Sequence, residues 1–367
     1  MDDSVLIVGG GPAGLCLGIA LSRLGISPRI IESGDYRSPR IGEHLPPNAI
    51  QALRDLTGSG SFPTPVHQRS SGVDARWGSD TIAHTDYLFH PVGFGVNLSR
   101  PSFDRTLARA CSEEGVEIIR SARIESVERR RGCWRATLSR PRSIEVRARL
   151  IVDASGRRAS FARSRDACIA YDDRQVAVVQ FQRVASRSDM GRILIETGES
   201  GWWYFAYLAG NRAVSAFMTD ADLLPRSGPA ALRTWWQSEA DKTSLIRERL
   251  GDAASAEGAL QVTWARSQRL SRAAGEGWLA VGDAAYAFDP LASQGVAKAI
   301  DGARRCARTI ASALSGDRGA FRQHEHEAVD AYASYRRRRQ EYYRIELRWP
   351  GASFWRRRHT DCEREWN

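Results

Sequence analysis

Lysine is nearly missing from this chain: of 53 basic side chains only Lys242 and Lys298 are lysines, and every other one is arginine. With alanine and glycine abundant, this imbalance reads first as codon-composition bias and second as a basic surface, the net charge being +10. Cysteine is sparse and scattered. Cys16, Cys111, Cys133, Cys168, Cys306 and Cys362 form no Cys-x-x-Cys pair and no Cys/His cluster of metal-ligand spacing, so no metal site is expected. His324 and His326, two residues apart, fall on different helix faces and make poor joint ligands. This cysteine usage fits a reduced, cytoplasmic compartment. A long hydrophobic run is also lacking. The most apolar stretch, from Val5 to Leu21, follows Met-Asp-Asp instead of a basic region and is broken by glycines up to Gly18, which excludes a signal peptide or a membrane span. No internal repeat or low-complexity linker is present, and 42% hydrophobic with 26% charged residues excludes disorder as the main state. A length of 367 residues allows two or three structural units.

What is present begins with Val5-Leu6-Ile7-Val8, an all-apolar run suited to a strand buried on both faces of a parallel sheet. Gly9-x-Gly11-x-x-Gly14 follows at once, and then a helix-spaced apolar set from Leu15 to Leu24. Gly9 permits the sharp turn, Gly11 lets backbone approach a pyrophosphate, and Gly14 lets the helix sit close on the strand. The helix N-terminus then offers unpaired N–H groups to phosphate. A second apolar strand ends in Glu32, placed for a ribose hydroxyl. Far downstream, the apolar Trp278-Leu279-Ala280-Val281 delivers Gly282-Asp283, and a loop through Pro290, Ser293, Gln294 and Gly295 enters a helix over 296–314. A ligand reaching from Gly11 to that loop is long, with a sugar-alcohol chain for Asp283 and a flat ring near Gly295. FAD meets that description better than NAD.

At these residues the chain resembles the flavoprotein monooxygenases with a single Rossmann-type FAD domain. More closely, it resembles their relatives, the flavin-dependent tryptophan halogenases and halogenase-like oxidoreductases. The resemblance rests on the Gly9 to Gly14 motif, Gly42-Glu43-His44-Leu45-Pro46-Pro47, Asp153-Ala154-Ser155-Gly156, Gly282-Asp283 through Gly295, and Arg348-Trp349-Pro350 through Phe354-Trp355. It implies that Gly282 and Asp283 contact the ribityl chain and that Pro290, Ser293, Gln294, Gly295 and Val296 lie beside the isoalloxazine. Ile41, Gly42 and Glu43 form a strap across the flavin, Arg100 reaches FAD, and backbone at Arg123 or Ile124 meets adenine. Ala13, Ser33 and Arg40 complete the expected cofactor contacts.

After Gly156 the texture changes to an antiparallel sheet, with strands over 176–184, 192–196, 202–208, 213–219 and 260–270 and helices over 229–240 and 244–250. The fold class is therefore α/β: a Rossmann-type FAD-binding domain (1–75, 95–165 and 270–315), an inserted antiparallel-sheet substrate domain (76–94 and 166–269) and a C-terminal helical segment (316–367). Trp202, Trp203 and Tyr204 are candidate substrate contacts; alternate side chains of that strand face opposite ways, so one set lines a chamber while the other packs on helices. The basic tail, Arg336 to Arg339 and Arg356 to Arg358, reads as a solvated helix packing its aromatic face on the FAD domain, with no nucleic acid expected.

The family's halogenases relay hypohalous acid through a lysine after the strap, yet no lysine here precedes Lys242, and Trp202-Trp203-Tyr204-Phe205-Ala206-Tyr207 only echoes their Trp-x-Trp-x-Ile-Pro motif. The reading is an FAD-dependent monooxygenase that hydroxylates an electron-rich aromatic through a flavin C4a-hydroperoxide, with Glu43 and His44 as candidate acid/base groups. Its substrate is a small phenol or indole, or a tryptophan side chain in an acidic peptide, as the resemblance implies for tryptophylquinone biogenesis. Asp153-Ala-Ser-Gly156 replaces an Asp-Gly pair of many hydroxylases, so NAD(P)H acts directly or through a partner flavin reductase. Two alternatives stand: a flavin-dependent reductase or desaturase of a lipid-like chain, and a non-catalytic flavoprotein binding an acidic partner.

Overall fold

A computed structural model describes residues 3–38, 40–58, 62–139, 144–184, 191–251 and 253–360; Cys362 and the rest of 361–367 lie outside them. In chain order, the first part carries β1 (Asp3–Val8), α1 (Pro12–Arg23), β2 (Pro28–Glu32), β3 (Gly72–Arg76), β4 (Ala83–Asp86), α2 (Arg100–Glu113), β5 (Glu117–Arg120) and β6 (Ile144–Asp153). The middle carries β7 (Gln175–Val184), β8 (Ile193–Gly198), β9 (Gly201–Leu208), β10 (Arg212–Asp220), α3 (Gly228–Asp241) and β11 (Ala253–Trp264). Then come β12 (Trp278–Ala280), α4 (Gly295–Leu314), α5 (Ala320–Ile345) and α6 (Ser353–Thr360).

The apolar strands β1, β2 and β6 need cover on both faces, and the first sheet supplies it. Its parallel strands run in the order β12-β6-β1-β2-β5. Val8 stands level with both Ile31 and Asp153, so the ends of three strands open at one edge, where parallel sheets bind ligands. On one face, α4 presents Val296, Ile300, Ala303, Ala307 and Ile310 at helical spacing against Leu15, Ile19 and other buried residues of α1. Each fully buried leucine or isoleucine there contributes about 1.5–3 kcal/mol.

The second sheet has seven strands in the order β11-β7-β10-β9-β8-β3-β4, antiparallel except for the β8–β3 pair. β3 spans the boundary expected near residue 75. The run expected as one strand over 260–270 divides instead: β11 stays in this sheet, while Gln268–Leu270 pairs with Ile169–Tyr171 in another. Alternation sorts the two faces. Trp202, Ala206, Ala177, Val179, Ala216 and Met218 share the inner core, while Trp203, Phe205, Tyr207 and Val178 pack outward on Trp236 and Ala240 of α3 and Ile246 of the helix Leu245–Gly251. Tyr343, Phe354 and Trp355 of α5 and α6 close part of the inner face, and buried Asp220 anchors them through Arg358 at 2.9 Å.

Candidate active site

A cavity of about 1450 Å³ runs from the ends of β1 and β2 to the inner face of the second sheet. That exceeds the roughly 300–1,000 Å³ of an ordinary small-molecule pocket, as a dinucleotide plus a second ligand requires.

Gly9, Gly11, Ala13, Glu32, Ser33 and Arg40 line its nucleotide end. Helix α1 starts with no side-chain cap, so its first N–H groups remain available to an anion. A Cβ on Gly11 would meet no protein atom within 4 Å, whereas one on Gly14 would strike the Gly9 carbonyl. Gly11 therefore keeps space for a ligand, and Gly14 keeps helix against strand. Gly14 itself stands behind the wall. Glu32 is already bound: it accepts from Gly10 N–H at 2.7 Å, Gly34 N–H at 2.6 Å and Arg40 at 3.1 Å. Arg123 and Ile124 line the cavity beyond Ser33.

The second loop meets the first at Gly282, whose φ of +64° and missing side chain let it abut Ala13. Asp283 lines the cavity. Burial raises its pKa, but Lys298 Nζ at 2.8 Å and Arg157 at 3.7 Å outweigh that and hold the carboxyl below its ordinary value. Pro290, Ser293, Gln294, Gly295 and Val296 follow along the wall. Asp289 fixes this loop: one carboxylate oxygen accepts from Leu291 N–H at 3.0 Å, and the other from Tyr343 Oη at 2.8 Å and Arg339 Nε at 3.2 Å. Its own N–H donates to Tyr335 Oη at 2.7 Å. Tyr335, Arg339 and Tyr343 all lie on α5, an anchor that sequence reasoning missed.

Ile41, Gly42 and Glu43 form the facing wall. Arg100, also in the wall, spends its fork on Ile41 O at 2.8 Å, Gly42 O at 3.2 Å and the Asp104 carboxylate, so it works on the cavity by fixing the strap. Glu43 is buried; its Oε2 accepts from Gly42 N–H at 3.1 Å, and its Oε1 has no partner among the described residues. Burial pushes this carboxyl up to about 7, with the Gly42 N–H and Arg100 pulling the other way. The Tyr204 hydroxyl, in the same cavity, is likewise buried without a partner, and burial followed by the Glu43 charge raises its pKa.

His44 is placed differently. Asn97 Nδ2 donates to Gly191 O at 2.9 Å and Tyr207 O at 3.0 Å, which turns its Oδ1 toward His44 Nδ1 at 3.1 Å. Nδ1 therefore carries the hydrogen, leaving Nε2 to accept from Tyr87 Oη at 3.0 Å. Burial lowers the imidazole pKa to about 4, so it is neutral and has no ring nitrogen to spare.

Of the three candidate substrate aromatics, only Tyr204 reaches the cavity. Trp203 lies on the opposite face, 4.7 Å from Phe217 and 5.0 Å from Trp236 between ring centres. Trp202 shares the inner face, but α5 covers it, and its Nε1 donates to Tyr343 Oη at 3.0 Å. The rest of this wall is Ala177, Val214, Ala216 and Met218, which the alternation of β7 and β10 identifies. Neither lysine lines it. Among the described residues no His/Cys/Asp/Glu group could hold a metal ion, and no helix is long and apolar enough to cross a membrane.

The glycine cradle, the uncapped helix and the second loop abutting it fit FAD, and fold and cavity together define a Rossmann-type FAD-binding oxidoreductase. The chain belongs to the family described as FAD binding domain, whose profile matches residues 2–342. LodB of Marinomonas mediterranea, provisionally named an FAD-dependent oxidoreductase, is 30% identical over 360 residues, 97% of this chain and 96% of LodB. The solved structure of CmlS, a flavin-dependent halogenase, shares the fold with a TM-score of 0.88 at 23% identity, over 98% of this chain and 68% of CmlS. QhpG, a peptidyl tryptophan dihydroxylase essential for tryptophylquinone cofactor biogenesis, shares it with a TM-score of 0.80 at 23% identity, over 98% of this chain and 79% of QhpG.

Proposed function

We propose that this enzyme hydroxylates an electron-rich aromatic ring held between Tyr204 and Glu43. The observation that carries the reading is the buried Glu43 Oε1, without a partner in a cavity wall and on a carboxyl whose pKa lies near 7. Such a group is half-ionised at neutral pH and suited to general-base duty. Held by the Gly9–Gly14 cradle and the 282–296 loop, FAD would supply the oxidising chemistry, with O2 as co-substrate and two electrons from NAD(P)H, directly or through a partner reductase. One oxygen atom enters the ring as hydroxyl and the other leaves as water. Glu43 Oε1 accepts the proton released as the C–H bond becomes C–OH, and the Tyr204 hydroxyl orients a polar edge of the ring. Ala177, Val214, Ala216 and Met218 keep water from the reacting face. His44 holds the strap in register through Asn97 and Tyr87.

Halogenation is disfavoured because no lysine precedes Lys242, while Lys242 pairs with Glu239 just past the end of α3 and Lys298 is committed to Asp283. Two substrate sources share this chemistry: a free phenol or indole, and a tryptophan side chain in an acidic peptide. The QhpG fold, the cavity size and the net charge of +10 favour the peptide.

The test supplies FAD, NADH, a flavin reductase, O2 and bromide to the protein, with phenols, indoles and acidic tryptophan peptides as substrates, and reads products by mass spectrometry. Oxygen gain that Glu43→Gln lowers about 10²-fold or more is expected. A bromine isotope pattern, or oxygen gain that ignores Glu43→Gln, overturns the reading.

A further inference from the structure

Strand β11 ends the second sheet: it pairs with β7 on one side and with no described strand on the other. Such an edge is a template for another chain, and folded proteins usually blunt it with charge, proline or a covering segment. Here the register breaks at Val179, near Gly258, but beyond that break Ala259-Leu260-Gln261-Val262-Thr263-Trp264 carries neither charge nor proline. Val262 is 48% exposed and Trp264 50%. The same residues, 261–264, border the cavity.

Three arginines near this edge and along the cavity carry charge that no described carboxylate matches. The Arg266 guanidinium stacks on the Trp264 ring at 3.2 Å and lies 4.7 Å from that of Tyr171. Arg158 and Arg165 line the same cavity that residues 261–264 border. Among the described residues none of these three arginines has a carboxylate partner. The acids flanking β11 and Arg266 are taken: Glu257 by Arg183 and Arg212, Asp172 by Arg336, Asp173 by Arg339, and Asp222 by Arg357, which leaves Glu125 on the cavity wall and Asp166, beside Arg165 in the chain, without an ion pair among the described residues.

The sheet register sets a distance. Tyr204 stands opposite Ala216, Ala216 opposite Val179, and Val179 opposite Gln261, one row crossing the sheet from the cavity to the free edge. A chain laid on the outer side of β11 is therefore four strand spacings from Tyr204, about 19 Å, which an extended polypeptide covers in about six residues.

We propose that the outer edge of β11, with Arg158, Arg165 and Arg266, docks an extended acidic segment of the polypeptide substrate by strand addition, about six residues from the aromatic side chain that enters the cavity. Backbone pairing with 259–264 holds the segment, Val262 and Trp264 cover its side chains, and the arginines select for acid. The proposal rests on the hydroxylation reading of the cavity.

The probes are fluorescent synthetic peptides with one tryptophan and an Asp/Glu-rich arm set two residues or about six residues away, titrated by anisotropy into the FAD-loaded protein. Binding about tenfold tighter for the longer spacing is expected, weakening with salt. N-methylation of alternate arm amides, Arg266→Glu and Val262→Glu should each cost about tenfold, with flavin absorbance retained as the check on folding. Absence of binding, equal affinity for the two spacings, or indifference to both N-methylation and Arg266→Glu overturns the docking proposal. Oxygen gain on free indoles together with any of those outcomes sinks the surface and leaves the cavity reading standing. Arm-dependent docking with no oxygen gain on any substrate does the reverse.

Discussion

If Glu43 is the general base of the proposed reaction, it should set the pH behaviour. Because burial raises its carboxyl pKa from an ordinary 4.5 to about 7, the base form accumulates as pH rises, and kcat/KM should climb through a midpoint near 7 in wild type and lose that limb in Glu43→Gln. Stability runs oppositely. The folded protein holds this proton more tightly than the unfolded chain, so the contribution of Glu43 is intact below 4.5 and lost as pH rises through 7, amounting to at most about 3 kcal/mol. Apo Glu43→Gln should accordingly gain thermal stability relative to wild type between pH 5 and pH 8, and a constant difference across that range would contradict the assignment. The glycines divide just as sharply. Gly11→Val should fold, since its side chain meets open space, yet fail to retain FAD; Gly14→Val should not fold, because its side chain meets the Gly9 carbonyl. Circular dichroism and flavin absorbance separate the two. The open space at Gly11 and the close packing at Gly14 were both legible from spacing alone. Lys298 was not: nothing local shows that its ammonium pairs with Asp283 and lies 4.7 Å and 4.6 Å from the Tyr286 and Phe288 ring centres.

Element by element, periodicity served well where one face of a strand or helix is buried. The alternation of Trp202 through Tyr207 gave the correct two faces. What covers each face depends on residues far away in sequence, which is why Trp202 ended beneath Tyr343 and Trp203 beneath Trp236. The run 260–270 stayed apolar enough to look continuous, but Ser267 N–H donates to Asp173, and Gln268–Leu270 pairs with Ile169–Tyr171 in another sheet. The arginines of the tail resembled a solvated face for the same reason: Asp172, Asp173, Asp220 and Asp222 reach them only through the fold. Helix α5 carries a testable load. Tyr343→Phe leaves Asp289 short of a donor and Trp202 Nε1 without its acceptor, and should cost about 1–3 kcal/mol in urea denaturation while loosening flavin binding. Unchanged stability and flavin affinity would show that the loop holds itself.

Across the whole molecule, the cavity exists because two sheets of different design meet. A parallel sheet brings glycine turns and strand ends to one edge, and an antiparallel sheet offers an apolar wall whose alternate residues face that edge. The first half of that arrangement was written in contiguous motifs; the second, including the free edge of β11, emerges only from strand order. A net charge of +10 should also speed encounter with an acidic partner, so kcat/KM for an acidic peptide should fall with rising ionic strength while that for a neutral indole stays flat. Parallel salt dependence for the two would assign the charge to composition alone.

The hold of Tyr335, Arg339 and Tyr343 on the Asp289 loop also orders events during synthesis. The glycine cradle leaves the ribosome early, but if α5 carries that load, the loop facing the cradle should be fixed only after α5 has been made, tens of seconds later at about 5–20 residues per second. A nascent chain, or a product stalled before α5, should then have half a flavin site. Such a fragment should emerge colourless, and oxidising chemistry should begin only in chains whose translation has passed α5.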